Sequence, residues 1–240
     1  MTYRSESDVP VPYGRTVPFS EPRVSPHFMF SDQIADFIPN WNRKRYDVLA
    51  TILISNCSVK KRMDFIQKLS KHIEIDVYGG CANTEENKNK CPGHFRGDCD
   101  PISDYLFYLV LENSMCTQYV TEKIFYHAYM RGAIPVIMGI SKTDCETLLP
   151  PNSYLYFDDT KTIEELAQEM LSISQNPSMV YSYHVWRNNF KVLNEHGYFK
   201  TRSYHFCRLC EALNYNDDSA KAYDEDALAR YFDPKSLCSK

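Results

Sequence analysis

The chain has 240 residues, 43% of them hydrophobic, enough to fill the core of one large or two small domains. Its 27 lysines and arginines against 31 aspartates and glutamates give a formal charge of -4, which excludes a sequence-independent grip on nucleic acid or anionic lipid, so any phosphate it binds must be met locally. The longest apolar run, residues 48–54, falls well short of the roughly 20 residues that cross a bilayer, and the polar residues 1–14 lack the basic and apolar blocks of a secretory signal.

Residues 1–42 carry Pro10, Pro12, Pro18, Pro22, Pro26 and Pro39, spaced too closely for a long helix, and read as a connector or domain edge. After Tyr46 the rhythm becomes strand, helix, strand, helix. Residues 47–55 are β-branched and nearly all apolar, which predicts a strand covered on both faces and hence a parallel sheet. Ser58 stands where it can cap a helix whose apolar positions Val59, Met63, Ile66, Leu69 and Ile73 keep helical spacing. Residues 73–78 read as the second strand, 79–101 as a loop, 105–113 as the third strand and 121–130 as a helix closed by Gly132 in the left-handed conformation. A fourth strand over 133–139, a short one over 154–157 and an amphipathic helix with an acidic first turn over 160–174 follow, with further helices over 179–190 and 204–213. This alternation predicts an α/β fold with a Rossmann-like doubly wound parallel sheet.

Nine cysteines suggest an oxidising lumen. Cys81, Cys91 and Cys99 crowd the 79–101 loop and Cys207 and Cys210 form a C-x-x-C, so these five are the disulfide candidates; a zinc site is the rival reading, but the second close pair it needs is missing. The odd total leaves at least one thiol unpaired within the chain. The sequon Asn56-Cys57-Ser58 ends an apolar strand and is not expected to carry a glycan.

Open α/β sheets bind ligands at the carboxyl ends of their strands, where helix amino termini present free N–H groups. Two such junctions are chemically loaded. At the first, Ser55 and Asn56 end a strand and Lys60, Lys61 and Arg62 open a helix, so a guanidinium able to grip phosphate in a fork meets a positive dipole end. At the second, Glu112, Asn113 and Ser114 end a strand and Tyr119, Thr121, Glu122 and Lys123 arrive at the next helix start; Lys123 is suited to phosphate and Glu122 to sugar hydroxyls, the two pointing in different directions. Neither junction is a glycine-rich phosphate loop, which weighs against dehydrogenases and P-loop hydrolases.

Residues 105–139, YLFYLVLENSMCTQYVTEKIFYHAYMRGAIPVIMG, resemble the signature of the α1,3-fucosyltransferase family: an aromatic-rich strand, ENS, YVTEK, a small-residue helix, then PV and G. Residues 1–14 resemble the family's YR-x-DSD-x-x-x-PYG segment, with Glu6 preceding Ser7 and Asp8; ISNCSVKKR resembles its SN-to-Arg phosphate turn, and CRLC its carboxy-terminal C-x-x-C. The resemblance covers most of the chain. It implies the donor-binding half of a glycosyltransferase-B fold, with residues 1–45 a remnant of the amino-terminal lobe and interdomain connector and residues 46–240 a GDP-fucose-binding domain with carboxy-terminal helices.

It also implies inverting transfer of L-fucose from GDP-fucose to a GlcNAc 3-hydroxyl of a glycoprotein glycan, in the Golgi lumen, as part of a type II membrane protein. Carried over by position, Arg62 and Lys123 hold the diphosphate, Tyr119 and Glu122 hold nucleoside or fucose hydroxyls, and Ser55, Asn56, Glu112 and Asn113 line the same cleft. No cofactor is implied; a divalent cation is at most stimulatory, and Asp98-Cys99-Asp100, in the Cys-rich loop, is the only D-x-D triplet between the predicted strands. The family's catalytic base, acceptor lobe and membrane anchor are expected upstream of Met1, so no base is assigned, Asp8 being the nearest carboxylate. The readings from other classes are a catalytically inactive nucleotide-sugar-binding fragment and an interaction domain without a ligand.

Overall fold

The computed structural model describes residues 1–25, 31–93, 95–216 and 223–239. In chain order, β1 (Gly14–Pro18) and α1 (Ser31–Phe37) precede β2 (Ala50–Leu53), α2 (Lys60–Leu69), β3 (Ile75–Tyr78), α3 (Glu85–Asn89), β4 (Phe107–Leu111) and β5 (Met115–Cys116). Then come β6 (Ile134–Met138), α4 (Lys142–Leu148), β7 (Leu155–Phe157), α5 (Ile163–Ser174), α6 (Pro177–Ser182), β8 (Phe190–Asn194), α7 (His205–Tyr215), α8 (Glu225–Tyr231), α9 (Pro234–Leu237) and β9 (Cys238–Ser239).

Five strands pair in the order β3-β2-β4-β6-β7, every pairing parallel. Helices cover both faces because the strands are apolar on both: Phe107, Leu109 and Leu111 meet Phe65, Ile66 and Leu69 of α2 and Leu166, Met170 and Ile173 of α5, whereas Tyr108 and Val110 meet Ile124, Phe125, Ala128 and Tyr129. Burying Ile52, Phe107 and Leu109, each about 1% exposed or less, removes enough apolar surface to contribute about 1.5–3 kcal/mol per side chain. α5 starts where its sequence dictates: Thr162 and Glu165 exchange side-chain-to-backbone bonds in a reciprocal cap.

Some elements depart from expectation. α2 is capped by Val59 without a side-chain bond, because the Ser58 hydroxyl donates to Asn56 Oδ1 instead (2.6 Å). The helix predicted over 121–130 is a π-helix over Lys123–Ala128 followed by a 3-10 turn over Tyr129–Arg131, and Gly132 closes it at φ 71, packed so tightly that an added Cβ would lie 2.1 Å from Pro39 O. The helix predicted over 179–190 stops with α6 and a 3-10 turn over Val185–Asn188. The chain then turns into β8, which pairs antiparallel with β1. Residues 1–45 thus contribute a strand and a helix. β1 can lie on the π-helix because Gly14 has no side chain; a Cβ there would meet the Phe125 ring at 2.5 Å. Glu195, 1% exposed, ties this edge together by taking bonds from Arg15 and Arg208.

Three disulfides form: Cys57–Cys81, Cys91–Cys99 and Cys116–Cys238. The candidates Cys81, Cys91 and Cys99 are bonded as expected, but Cys207 and Cys210 are free and exposed, and Cys145 is free and buried. The correction has a geometric reason: positions i and i+3 of a regular helix such as α7 hold their Cβ atoms about 5–6 Å apart, beyond the roughly 3.5–4.5 Å that a disulfide spans. Cys116–Cys238 staples β9 to β5 across 122 residues of sequence. No helix among the described residues is long and apolar enough to cross a membrane.

Candidate functional site

The strand order places a crevice. From β2 the chain moves outward to β3, then crosses back to enter β4 on the other side of β2, so the topological switch lies between β2 and β4. Their ladder runs only over Ala50↔Phe107 and Thr51↔Tyr108; beyond it the strands part, and the Leu53 amide donates to the Tyr108 hydroxyl (3.2 Å). A cavity of about 300 Å³ opens at the parted carboxyl ends.

Of the eight positions singled out in the sequence, seven line this cavity: Ser55, Asn56, Arg62, Asn113, Tyr119, Glu122 and Lys123. The eighth, Glu112, stands immediately behind it. Both cations therefore face one crevice. Arg62, 2% exposed, bridges the parted strands, donating from Nη1 to Leu111 O (3.0 Å) and Asn113 Oδ1 (2.5 Å) and from Nη2 to Asn56 O (2.5 Å). Its Nε is buried with no hydrogen-bond partner among the described residues, so the guanidinium keeps donor capacity to spare.

Lys123 Nζ donates to Glu112 Oε2 (2.8 Å), Thr121 Oγ1 (3.1 Å) and Glu122 Oε1 (3.4 Å). Glu122 and Lys123 thus do not point apart as expected; the π winding and the buried Glu112 draw the ammonium back over both carboxylates. Glu112 in turn accepts from Thr121 N (3.1 Å) and Thr121 Oγ1 (2.6 Å), which fixes the start of the helix to the end of β4. Burial pulls the Lys123 ammonium down, but Glu112 and Glu122 outweigh it and hold its pKa above the ordinary lysine value. Burial pushes the Glu122 carboxyl up; the Lys123 ammonium leads the opposing effects and keeps it below the usual range, so it stays ionised.

Sequence reasoning missed the four other aromatic rings of the cavity wall: Tyr13, His127, Tyr198 and Phe199. Tyr13 abuts Tyr119 edge-on at 5.9 Å and stacks on His196 at 4.3 Å. Its only signal was the PYG before β1. His127 reaches the wall through the π winding, which a period of 3.6 does not anticipate. Tyr198 and Phe199 follow Gly197, and Phe199 itself is left-handed at φ 57, a conformation that no local signal announces. Asp8 lies outside the cavity: its carboxylate accepts from Tyr223 Oη (2.8 Å) and its carbonyl from Asn216 Nδ2 (3.1 Å). Asp98 pairs with Arg131, and Asp100 takes bonds from both Arg43 Nη atoms (3.1 and 2.9 Å). Among the described residues no group of three or more His, Cys, Asp or Glu could hold a metal ion.

Comparison with known proteins identifies the family and the fold. The alpha-(1,3)-fucosyltransferase fut-1 of Caenorhabditis elegans is 36% identical over 169 residues, 67% of this chain and 37% of that protein. The glycoprotein 3-alpha-L-fucosyltransferase A of Drosophila melanogaster is 29% identical over 223 residues, 92% of this chain and 40% of that protein. The chain therefore spans about two fifths of the length of these relatives. A crystal structure of an alpha1,3-fucosyltransferase with GDP-fucose shares the fold at a TM-score of 0.55 and 18% identity, over 81% of this chain and 56% of that one. Residues 41–227 match the family model of the carboxy-terminal part of glycosyltransferase family 10, the fucosyltransferases, and the chain belongs to that family.

Proposed function

We propose that the cavity between β2 and β4 holds GDP-fucose. In this reading the chain is the donor-binding part of an α1,3-fucosyltransferase, which moves L-fucose with inversion to the 3-hydroxyl of a GlcNAc residue on glycoprotein glycans in the Golgi lumen. The single observation that carries the reading is the placement of Arg62 and Lys123 on one crevice at the topological switch of a parallel sheet. Breaking the fucose–phosphate bond builds negative charge on the departing GDP, and cations fixed in a largely buried site stabilise that charge without reorganising. A guanidinium and an ammonium supply the compensation that a divalent cation gives other nucleotide-sugar enzymes. Tyr119 and Glu122 stand on the same wall with a hydroxyl and an ionised carboxylate suited to sugar hydroxyls.

A second reading has its own observation. Glu122 is the one carboxylate among the described residues lining the cavity, and its lowered pKa makes it a weak proton acceptor. The chain by itself then binds the donor without transferring it. Calorimetric titration of the 240-residue chain with GDP and GDP-fucose, with and without a chelator, tests the donor site; radiolabelled transfer to a GlcNAc-bearing glycoprotein tests the chemistry. We expect binding of both nucleotides with dissociation constants unchanged by the chelator. Failure of either nucleotide to bind would refute the assignment, and binding without transfer would select the second reading.

A further inference from the structure

His127 is 2% exposed and lies on the cavity wall with Glu122, Lys123 and Phe199. Its ring is held by aromatic neighbours: it stacks on Tyr108 at 5.4 Å and 29°, and meets Phe199 edge-on at 4.5 Å and 73°. The sheet supplies one and the left-handed turn after Gly197 the other. In an α-helix a residue five positions after Glu122 would face away from it; the π winding of Lys123–Ala128 returns His127 towards the same side. The ring is thus packed as a core aromatic, yet its Nδ1 is buried with no hydrogen-bond partner among the described residues. Leaving such an atom unpaired costs about 1–3 kcal/mol. A phenylalanine would fill the same slot without that cost, so packing does not account for an imidazole here.

The chemistry of the ring narrows what completes it. Burial keeps the imidazole neutral, its pKa pushed down to about 3, with Glu122 opposing the shift and Lys123 and Arg131 adding to it. A neutral imidazole offers one donor and one acceptor, the complement of a hydroxyl group; a phosphate oxygen only accepts, and this cavity already meets phosphate with two cations. We propose that His127 receives a hydroxyl group of the bound nucleotide sugar, on either its ribose or its hexose. The assignment rests on the donor-site reading above and gives one residue of that site its ligand group.

Three chains test it: wild type, His127→Phe and His127→Asn, each as the full 240 residues, titrated with GDP and with GDP-fucose and melted without ligand. The phenylalanine keeps the aromatic packing and removes the unpaired atom, so its unliganded melting temperature equals or exceeds that of the wild type. Its affinity for GDP-fucose falls about 5- to 100-fold. Asparagine, which retains a donor and an acceptor, recovers part of that loss. An equal fall for GDP identifies a ribose hydroxyl, and an unchanged affinity for GDP identifies a hexose hydroxyl. Unchanged GDP-fucose affinity in His127→Phe, or a fall matched by a lower melting temperature in both variants, overturns the assignment while leaving the donor site standing. A wild-type chain that binds neither nucleotide overturns both.

Discussion

Lys123→Ala probes the cavity at the point where stability and binding are coupled. The Lys123 side chain is 12% exposed and that of its partner Glu112 is 1% exposed. Deleting the ammonium therefore leaves a carboxylate out of water with only the two bonds from Thr121. Breaking a buried pair in this way costs about 3–5 kcal/mol of folding stability, because the remaining charge is uncompensated. The same deletion removes a charged hydrogen bond to the nucleotide, worth about 1.5–3 kcal/mol, or roughly a 10- to 150-fold rise in the GDP dissociation constant. The double variant Lys123→Ala/Glu112→Gln separates the two effects. With the orphaned charge gone, most of the lost stability returns, whereas affinity for GDP does not. Urea unfolding and calorimetric titration of the three proteins give both numbers. A GDP dissociation constant within twofold of wild type in Lys123→Ala would refute the role of this ammonium, whatever happened to stability.

Arg62→Lys is not conservative here. Lysine's compact ammonium lacks the planar fork whose two separate Nη atoms reach Asn56 O on one side and Leu111 O and Asn113 Oδ1 on the other, so we expect a loss of about 2–4 kcal/mol and weaker GDP binding; an unchanged thermal midpoint would show that the bridge between β2 and β4 is dispensable. Acid should destabilise the fold well before its carboxylates titrate. Burial holds His127 down at about 3 and His184 well below the ordinary range, and His184 Nδ1 accepts from Arg187 Nε (3.0 Å). The unfolded chain takes up these protons near pH 6.5 and the folded chain does not, so their contribution is complete above that pH and is lost as pH falls towards the folded values. For His127 alone the loss between pH 7 and 4.5 is about 2–3 kcal/mol; it should shrink in His127→Phe, and urea midpoints that are flat across this range would contradict the burial argument. Removing the Cys116–Cys238 staple with paired serines should cost about 2–4 kcal/mol, since the bond closes a loop of 122 residues; unfolding midpoints equal with and without it would show that β9 is held by other contacts.

The parallel sheet was legible in the sequence because its strands are buried on both faces, which leaves runs such as residues 47–55 and 133–139 almost without polar residues. The strand ends and helix starts were legible for a related reason: a turn at the edge of such a sheet needs polar residues, and Ser55, Asn56, Asn113 and Lys123 are conspicuous against apolar neighbours. Their convergence was less visible. It depends on β2 and β4 being neighbours with a crossover between them, a pairing decided by contacts across 50 residues and more. The resemblance to the fucosyltransferases supplied that expectation, and the tertiary structure showed the shared crevice.

Other features were beyond local reasoning. The π-helix over residues 123–128 packs against β1, β8 and the sheet, and its winding moves His127 to a face that helical periodicity assigns elsewhere. β1 and β8 pair from Gly14↔Asn194 to Pro18↔Phe190, far apart along the sequence, so neither announces the other, and Gly14 of β1 lies against Phe125. Disulfide connectivity follows the same rule: crowding in one loop marked Cys81, Cys91 and Cys99 as candidates without their partners, and Cys57–Cys81 and Cys116–Cys238 join segments that only folding brings together. Sequence by itself determined which segments are buried and where polar chemistry interrupts them, because both follow from the exclusion of water by apolar side chains. Tertiary structure alone decided which interruptions meet, because that depends on contacts between residues distant in the chain.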